Sequence, residues 1–175
     1  MKNLFGLRSF IMTMLVLSVA VVGCKKDNTE IDPTPSKSSV EGTWKMTGMK
    51  VNPAIDLGTG QTFTDIMDLL KLIPEGEQAV ACLKDTKITF QKSGKVTAAA
   101  SPACQSDEDT GMGVEDNSSW KVQGDKIILT DSDGPSEYDL SVSGSTMKWS
   151  QVADEDWDGD GKNTRYTYTL EFRRQ

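Results

Sequence analysis

The chain has 175 residues, which suits one domain and leaves little room for a second. It contains no histidine, and this absence excludes a Ser-His-Asp triad, a Cys-His pair and an imidazole metal ligand. Its 26 acidic side chains outnumber its 19 basic ones, and the net charge of -7 argues against a nucleic-acid partner. The composition therefore favours a protein that binds over one that catalyses.

The first residues have the pattern of an export signal. Lys2 and Arg8 supply a short basic region, and an apolar run of about 13 residues follows from position 10 to position 22. A membrane-spanning helix needs roughly 20 apolar residues, so this run is too short for a permanent anchor. The pattern predicts a signal peptide over residues 1–23.

The end of this run, Val21-Val22-Gly23-Cys24, resembles the lipobox of bacterial lipoproteins. The resemblance implies cleavage after Gly23, a lipid on the Cys24 thiol and an acyl chain on the new amino group, with the lipid bilayer as partner. Several acyl chains on one residue hold a protein at a membrane far more firmly than a single chain does. An ordinary signal peptide with an incidental cysteine is the alternative.

The residues after Cys24 bear on which membrane holds the anchor. Lipoproteins with aspartate directly after the cysteine tend to stay in the inner membrane, whereas this chain has Lys25 there. We therefore expect a lipid-anchored protein of the bacterial cell envelope, in the outer membrane. The Lys25-Lys26-Asp27 run is similar to the charged signal of surface-displayed lipoproteins but equally suits a solvated linker, so both faces of that membrane stay open.

A polar segment separates the anchor from the folded part. Pro33 and Pro35 favour extended backbone and stop any helix. This pattern predicts a flexible tether over residues 24–39 and one globular domain over residues 40–175. A domain of that length can bury one sizeable core.

Apolar and polar side chains alternate along most of the domain. The clearest run lies near the C-terminal end, where four apolar residues share one face: Tyr166, Tyr168, Leu170 and Phe172. Similar alternation surrounds Trp44, Phe90, Trp120, Tyr138 and Trp149, with a further strand near 95–100. Such alternation predicts half-buried antiparallel strands. We expect about eight, joined by short turns and closed into a barrel that hides the strand edges.

One segment has the periodicity of a helix. Its apolar residues recur at the spacing of one helix face: Phe63, Ile66, Met67, Leu70 and Ile73. Thr62 and Asp65 resemble a capping box, and Pro74 with Gly76 ends the run. This predicts a short amphipathic helix over residues 64–72, which either plugs one end of the barrel or closes over a cavity as a lid.

Three features together resemble the lipocalin-like domain of bacterial lipoproteins. Gly42-Thr43-Trp44 is similar to the Gly-x-Trp signature that opens the first strand of lipocalins. Cys82 and Asp85 lead into a phenylalanine strand, a glycine turn and Cys104, and a second tryptophan strand begins at Trp120. The resemblance covers residues 40–175. It implies an all-β, antiparallel up-and-down barrel of about eight strands, with one short helix between strands 1 and 2.

The chain also departs from that family. The Thr-Asp-Tyr motif of true lipocalins is not found, and the arginine that could stack on Trp44 is one of Arg165, Arg173 and Arg174. The family has no general enzymatic assignment, so the resemblance implies a protein that is not an enzyme. The resemblance is therefore stronger evidence for the fold than for ligand binding.

Two cysteines remain once Cys24 carries lipid. An exported domain meets an oxidising compartment, and a cysteine pair recurs in the resembling lipoproteins, so we expect a Cys82–Cys104 disulfide. Closing a loop of this size stabilises a fold by roughly 3 kcal/mol in the chain-entropy model. The alternative is two free thiols, which make poor catalysts without histidine as a base.

An acidic, glycine-rich run precedes the last predicted strand. Asp156, Asp158 and Asp160, followed by Gly161, are spaced as in the first half of an EF-hand calcium loop. The twelfth position of such a loop should be a bidentate carboxylate, but it is Thr167. The run is therefore either a calcium site with these three aspartates as ligands or a solvated hairpin loop, and no other cofactor is predicted.

Two functions from different classes remain. The first is a non-enzymatic, membrane-anchored lipocalin-like lipoprotein that binds a small apolar or amphipathic molecule in its barrel. The candidate lining residues, which could equally be core filler, are Trp44, Trp120, Trp149, Tyr166 and Tyr168. The second is an envelope interaction module that holds a protein or glycan through its loops, ordered by calcium. An internal cavity favours the first, and a filled interior with an exposed aromatic patch favours the second.

Overall fold

The computed structural model describes residues 34–104 and 118–175, which belong to one compact unit. The predicted signal peptide over residues 1–23, Cys24 and the tether as far as residue 33 lie outside these residues, as do residues 105–117. Within the described ranges, no helix is both long enough and apolar enough to cross a membrane.

Strands make up most of the described chain. The elements before the gap are α1 (Lys37–Val40), β1 (Gly42–Asp56), β2 (Thr62–Asp65), α2 (Ile66–Leu70), α3 (Gly76–Asp85), β3 (Lys87–Phe90) and β4 (Val96–Ala99). Those after it are β5 (Ser119–Gln123), β6 (Lys126–Asp131), β7 (Gly134–Ser143), β8 (Thr146–Glu155) and β9 (Thr164–Arg174). The strand expected near 95–100 is present as β4.

Eight of these strands form an antiparallel up-and-down barrel. Neighbours pair in the order β4-β3-β1-β9-β8-β7-β6-β5, and the short β2 pairs with β1 beside this path. The two ends of the order meet where Lys95 bridges Ser119, and the Val96 N–H donates to the Ser118 carbonyl at 3.0 Å. The barrel is therefore nearly closed, and the predicted all-β, up-and-down fold is confirmed.

Arg174, in β9, fastens one end of the barrel. Its guanidinium lies 4.2 Å from the centroid of the Trp44 ring and donates to the carbonyls of Glu41 and, at 2.6 Å, Ser39. The Trp44 indole N–H donates to the Val40 carbonyl at 2.8 Å. Carbonyls at the end of α1 thereby gain the partners that a helix end lacks. From the sequence, three arginines could stack on Trp44, and the structure shows that Arg174 is the one that does.

Gly42 leaves the space that Arg174 needs. Its φ of +122° is unfavourable for other residues, and a Cβ built on it would lie only 2.5 Å from Arg174 Nη1. A side chain at this position would therefore strain the backbone and push the guanidinium away from the Trp44 ring. The glycine of the Gly-x-Trp signature thus allows the Arg174 side chain of β9 to bind at the start of β1.

The predicted helix between the first strands exists, but it is shorter than residues 64–72. α2 begins at Ile66, because the Asp65 carboxylate accepts a hydrogen bond from the Met67 N–H at 2.9 Å and acts as the N-cap. Thr62, the expected cap, lies in β2. Burial alone would raise the pKa of Asp65, but hydrogen bonds from Lys50 and from the Met67 backbone hold that pKa below its usual value.

A second helix, α3, follows where the sequence pattern predicts none. Helix α2 ends at Leu70, ahead of Pro74 and Gly76, and the chain then forms another helix that starts at Gly76. A Cβ on Gly76 would lie 1.7 Å from the Leu70 carbonyl oxygen, so only glycine lets α3 start so close to α2. Val80 and Leu83 of α3, three residues apart, are buried in the core.

Two apolar clusters occupy the interior. The larger contains the aromatic residues Trp44, Phe90, Trp120, Trp149 and Phe172. The smaller is formed by Val51, Ile55 and Tyr166. Helix α2 contacts both, since Met67 is buried in the larger cluster while Ile66 and Leu69 pack against the smaller one. This packing supports the interpretation of α2 as a plug.

The Cys82–Cys104 disulfide is present, with an S–S distance of 2.01 Å, and this prediction is confirmed. It joins α3 to the segment that follows β4, closing a loop across 22 positions. The bond therefore ties α3, which packs on β1, to the chain that leaves β4.

Replacing Arg174 with methionine should lower the free energy of unfolding by about 2–3 kcal/mol, because hydrogen bonds from a charged donor and a cation–π contact are lost together. Arg174→Lys should recover only part of the lost stability, since an ammonium lacks the planar guanidinium that stacks on Trp44 and donates to two carbonyls at once. Urea denaturation measures both. Arg173→Met, an adjacent exposed position, should change stability by less than about 0.5 kcal/mol. Equal losses of stability at positions 173 and 174 would contradict the conclusion that Arg174 holds this end of the barrel together.

Candidate functional site

The barrel interior is not completely filled beside Trp149. Side chains at alternate positions of β8 and β9 point inward, and Met147, Trp149 and Phe172 are buried there. The intervening Lys148 and Glu171 lie on the outer face, with an ammonium-to-carboxylate distance of 2.8 Å. The alternation therefore gives this part of the barrel an apolar interior and a charged exterior.

The unfilled space is a cavity of about 240 Å³ that is partly open to solvent. Its walls come from β1, β7, β8 and β9: Met46, Met49, Tyr138, Trp149, Gln151, Tyr168, Leu170 and Phe172. No charged residue is among the described residues that form these walls. The volume lies just below the range of roughly 300–1,000 Å³ that is typical of drug-sized ligands, so the cavity suits a compact molecule. A second pocket, of about 320 Å³, lies outside the barrel between α3 and Cys104.

Aromatic rings form much of the cavity wall. The Trp149 ring lies 4.5 Å from that of Phe172, and it stacks with Tyr138 at 5.8 Å between centroids with an interplanar angle of 30°. On its far side it meets Phe90 edge to face at 5.7 Å. Such contacts hold the rings in place and leave flat apolar surface for a ligand.

The buried tryptophans differ in what their indole N–H groups bind. Trp44 donates to the Val40 carbonyl, and Trp120 donates to the carbonyls of Gln91 and Lys95, each at 3.1 Å. The buried Trp149 nitrogen has no hydrogen-bond partner among the described residues. A buried N–H left without a partner costs a fold roughly 1–3 kcal/mol. Trp149 is therefore the exception among the buried tryptophans, and it is the one that lines the cavity.

Of the five aromatic residues predicted to line a cavity, two do so in the structure and three do not. Trp149 and Tyr168 lie in its wall. Trp44 and Trp120 lie in the larger cluster with their N–H groups bound to backbone carbonyls, and Tyr166 belongs to the smaller cluster. Alternation placed all five on inward faces but could not say which inward positions border empty space.

The remaining lining residues were not predicted from the sequence as site residues. Alternation did identify Tyr138, Leu170 and Phe172 as inward-facing, so the signal for them existed. Met49 and Gln151 carried no such signal. Met49 follows an irregularity in the pairing of β1 with β9 between Met46 and Gly48, which shifts the inward face by one residue.

Tyr168 connects the cavity to the loop between β8 and β9. Its hydroxyl accepts a hydrogen bond from the exposed Trp157 indole N–H at 2.9 Å. Burial raises the pKa of Tyr168, with the nearby Glu155 carboxylate adding to the rise, and the bond from Trp157 opposes it. The phenol is therefore uncharged around neutral pH, and its proton is free to donate.

A family model for the lipocalin-like domain matches residues 40–149, more than half of the chain. The chain belongs to the lipocalin-like domain family. Comparison with curated proteins and with solved structures gives no significant match. The matched region of the lipocalin-like domain ends within β8, so β9 lies beyond it. Strand β9 pairs with both β1 and β8 in the barrel and carries three of the cavity residues.

The lipocalin-like domain also brings the predicted calcium ligands together. Carboxylate oxygens of Asp156, Asp158 and Asp160, all exposed, lie within 4.8 Å of one another. The Gly161 N–H donates to Asp156 Oδ2 at 2.9 Å, while Lys162 Nζ lies 3.2 Å from Asp160 Oδ2 and partly neutralises it. Both interpretations of the loop, a calcium site and a solvated hairpin, are compatible with this geometry.

The calcium hypothesis predicts a heat of binding in calorimetry that is lost in Asp158→Asn. The dissociation constant should be weak, on the order of 10⁻³ M, because Thr167 lies within β9 and offers no carboxylate for the twelfth position. Asp154→Asn, which changes a nearby aspartate outside the three, should keep the wild-type heat. If the wild-type protein gives no heat, the loop is a solvated hairpin.

Proposed function

We propose that this protein is a non-enzymatic, membrane-anchored lipocalin-like lipoprotein that binds a small apolar or amphipathic molecule inside its barrel. The observation that carries the proposal is the cavity of about 240 Å³ beside Trp149, open to solvent and walled by uncharged side chains. Apolar concave sites with a few convergent polar groups are the usual form of a small-molecule site.

This cavity favours ligand binding over the alternative of an envelope module that holds a protein or glycan through its loops. A module of that kind needs no interior space and would present a contiguous apolar patch on its surface. The large apolar residues exposed in the described chain are Leu72, Ile73, Val152 and Trp157, and only Leu72 and Ile73 are neighbours in sequence. The interior is the better candidate site.

The proposal that the protein is not an enzyme rests on its chemistry. The sequence has no histidine, and Cys82 and Cys104 are bonded to each other, so neither is a free nucleophile. The aspartates that lie close together, at positions 156, 158 and 160, are exposed rather than set in the cavity. These features support binding without chemical change of the ligand.

The membrane anchor is a proposal from the sequence. The lipobox-like run ending in Cys24 supports lipid attachment at that residue, with the bilayer as partner and the outer membrane of the cell envelope as location. Anchoring would keep the binding domain at the membrane, where apolar ligands are concentrated.

Ligand binding is tested with N-phenyl-1-naphthylamine, an uncharged apolar fluorophore, titrated into the 175-residue chain. We expect one-to-one binding, and we expect Leu170→Trp to reduce the affinity at least about tenfold, because the larger side chain fills the space a ligand would take. Val152→Trp is the matched control, since Val152 is exposed and does not line the cavity. Absence of binding to the wild type would instead favour the interaction module.

Anchoring is tested by growing expressing cells with radiolabelled palmitate. The wild-type protein should incorporate label and sediment with membranes, whereas Cys24→Ser should do neither. Label retained by the Cys24→Ser variant, or a wild-type protein without label, would overturn the lipoprotein assignment while leaving the ligand-binding proposal intact.

A further inference from the structure

The described lining of the cavity offers no positive charge to an anionic ligand. None of the described residues that line it is charged, and the polar groups among them are the Gln151 amide, the phenols of Tyr138 and Tyr168, and the Trp149 indole, whose nitrogen is buried behind the wall. A carboxylate moved into such a site would lose its hydration without gaining a cation, which is strongly unfavourable. The lining therefore selects for uncharged molecules.

Two cations on the strands of the wall are directed elsewhere. Lys148 lies on the outer face, bound to Glu171. Arg174 is held by the Trp44 ring and by the carbonyls of Ser39 and Glu41. Recruiting either cation to a ligand would break a contact that it makes in this structure.

The Trp149 N–H is a buried donor without a partner in the described chain, and an acceptor on a ligand would satisfy it. Its side chain is 3% exposed, and its nitrogen has no partner within the described chain. The nitrogen itself is sealed, so the indole must tilt toward the cavity before its N–H reaches a bound molecule. An acceptor on the ligand would satisfy a donor that is otherwise buried without a hydrogen bond, and this gain offsets the tilt.

The size and shape of the cavity limit the apolar part of the ligand. A cavity of about 150 Å³ holds benzene, so about 240 Å³ encloses one or two rings, and a third ring, as in N-phenyl-1-naphthylamine, extends through the opening to solvent. Trp149 and Tyr138 stack on each other, with centroids 5.8 Å apart, and together with Phe172 they give the cavity an aromatic wall that suits a ring-containing molecule.

Resting on the proposed function, we propose that Trp149 supplies the hydrogen bond that orients the ligand. The ligand is then a compact, uncharged, ring-containing molecule with one oxygen acceptor, and the cavity rejects carboxylates of the same shape. Trp149 thus determines specificity for an acceptor, while the aromatic and methionine side chains of the wall supply general apolar affinity.

Three probes of the same naphthalene body test this inference, each displacing N-phenyl-1-naphthylamine from the 175-residue chain. They are 2-acetylnaphthalene, which has a carbonyl acceptor, 2-ethylnaphthalene, which has none, and 2-naphthoate, which is anionic. We expect the ketone to bind about fivefold more tightly than the hydrocarbon, the value of one net hydrogen bond, and naphthoate to bind most weakly.

Trp149→Phe should abolish the preference for the ketone, because the N–H donor accounts for the difference between the two probes. The readout is the ratio of the ketone and hydrocarbon affinities within each variant, since a change in the volume of the cavity affects both probes alike. Binding of the hydrocarbon also shows that this variant is folded. Trp120→Phe is the matched control, since the Trp120 N–H is held by the carbonyls of Gln91 and Lys95 and should not affect the preference.

Nuclear magnetic resonance detects the hydrogen bond directly. The Trp149 indole signal, assigned by its loss in Trp149→Phe, should move further downfield with the ketone than with the hydrocarbon, whose ring currents are similar. Equal affinity for ketone and hydrocarbon, or tightest binding of naphthoate, would overturn the role of Trp149 and leave cavity binding standing. Failure of all three probes and of N-phenyl-1-naphthylamine would overturn cavity binding itself.

Discussion

The contact of Arg174 with Trp44 and the backbone before β1 holds the first and last strands of the barrel together. The side chain of Arg174 reaches that site only because Gly42 has no Cβ to obstruct it. Strand β9, fixed in this way, lies between β1 and β8, and these three strands supply seven of the eight residues that line the cavity. The shape of the binding site therefore depends on a contact at the end of the barrel rather than on the lining residues alone.

Much of the barrel could be predicted from the sequence, because alternation of apolar and polar residues is a direct consequence of one buried and one solvated sheet face. The regular strand β9 shows this most clearly. Helix α3 was not predictable from the same signal, since Pro74 and Gly76 indicate only that α2 ends and carry no information about the next element. The start of α3 depends on the close approach of Gly76 to the Leu70 carbonyl, a contact that the apolar pattern does not record.

The candidate site was less predictable than the fold, for a physical reason. Alternation assigns a residue to the inner face, but whether it borders space depends on how its neighbours across the barrel fill the interior. Trp44 and Trp149 have the same inward pattern in sequence. The structure distinguishes them, because a backbone carbonyl holds the Trp44 N–H, whereas Trp149 lies beside the cavity with its own N–H unsatisfied.

The place of β9 in the barrel also governs the order in which the domain can fold. The bond from Arg174 to Glu41 spans 133 positions, and contacts of such separation must overcome a large loop-closure entropy and form slowly. A nascent or translocating chain that has emerged only as far as β8 leaves the edges of both β1 and β8 without a neighbour. Such edges pair readily with other chains, so the domain is most prone to aggregate in the interval before its final strand is released.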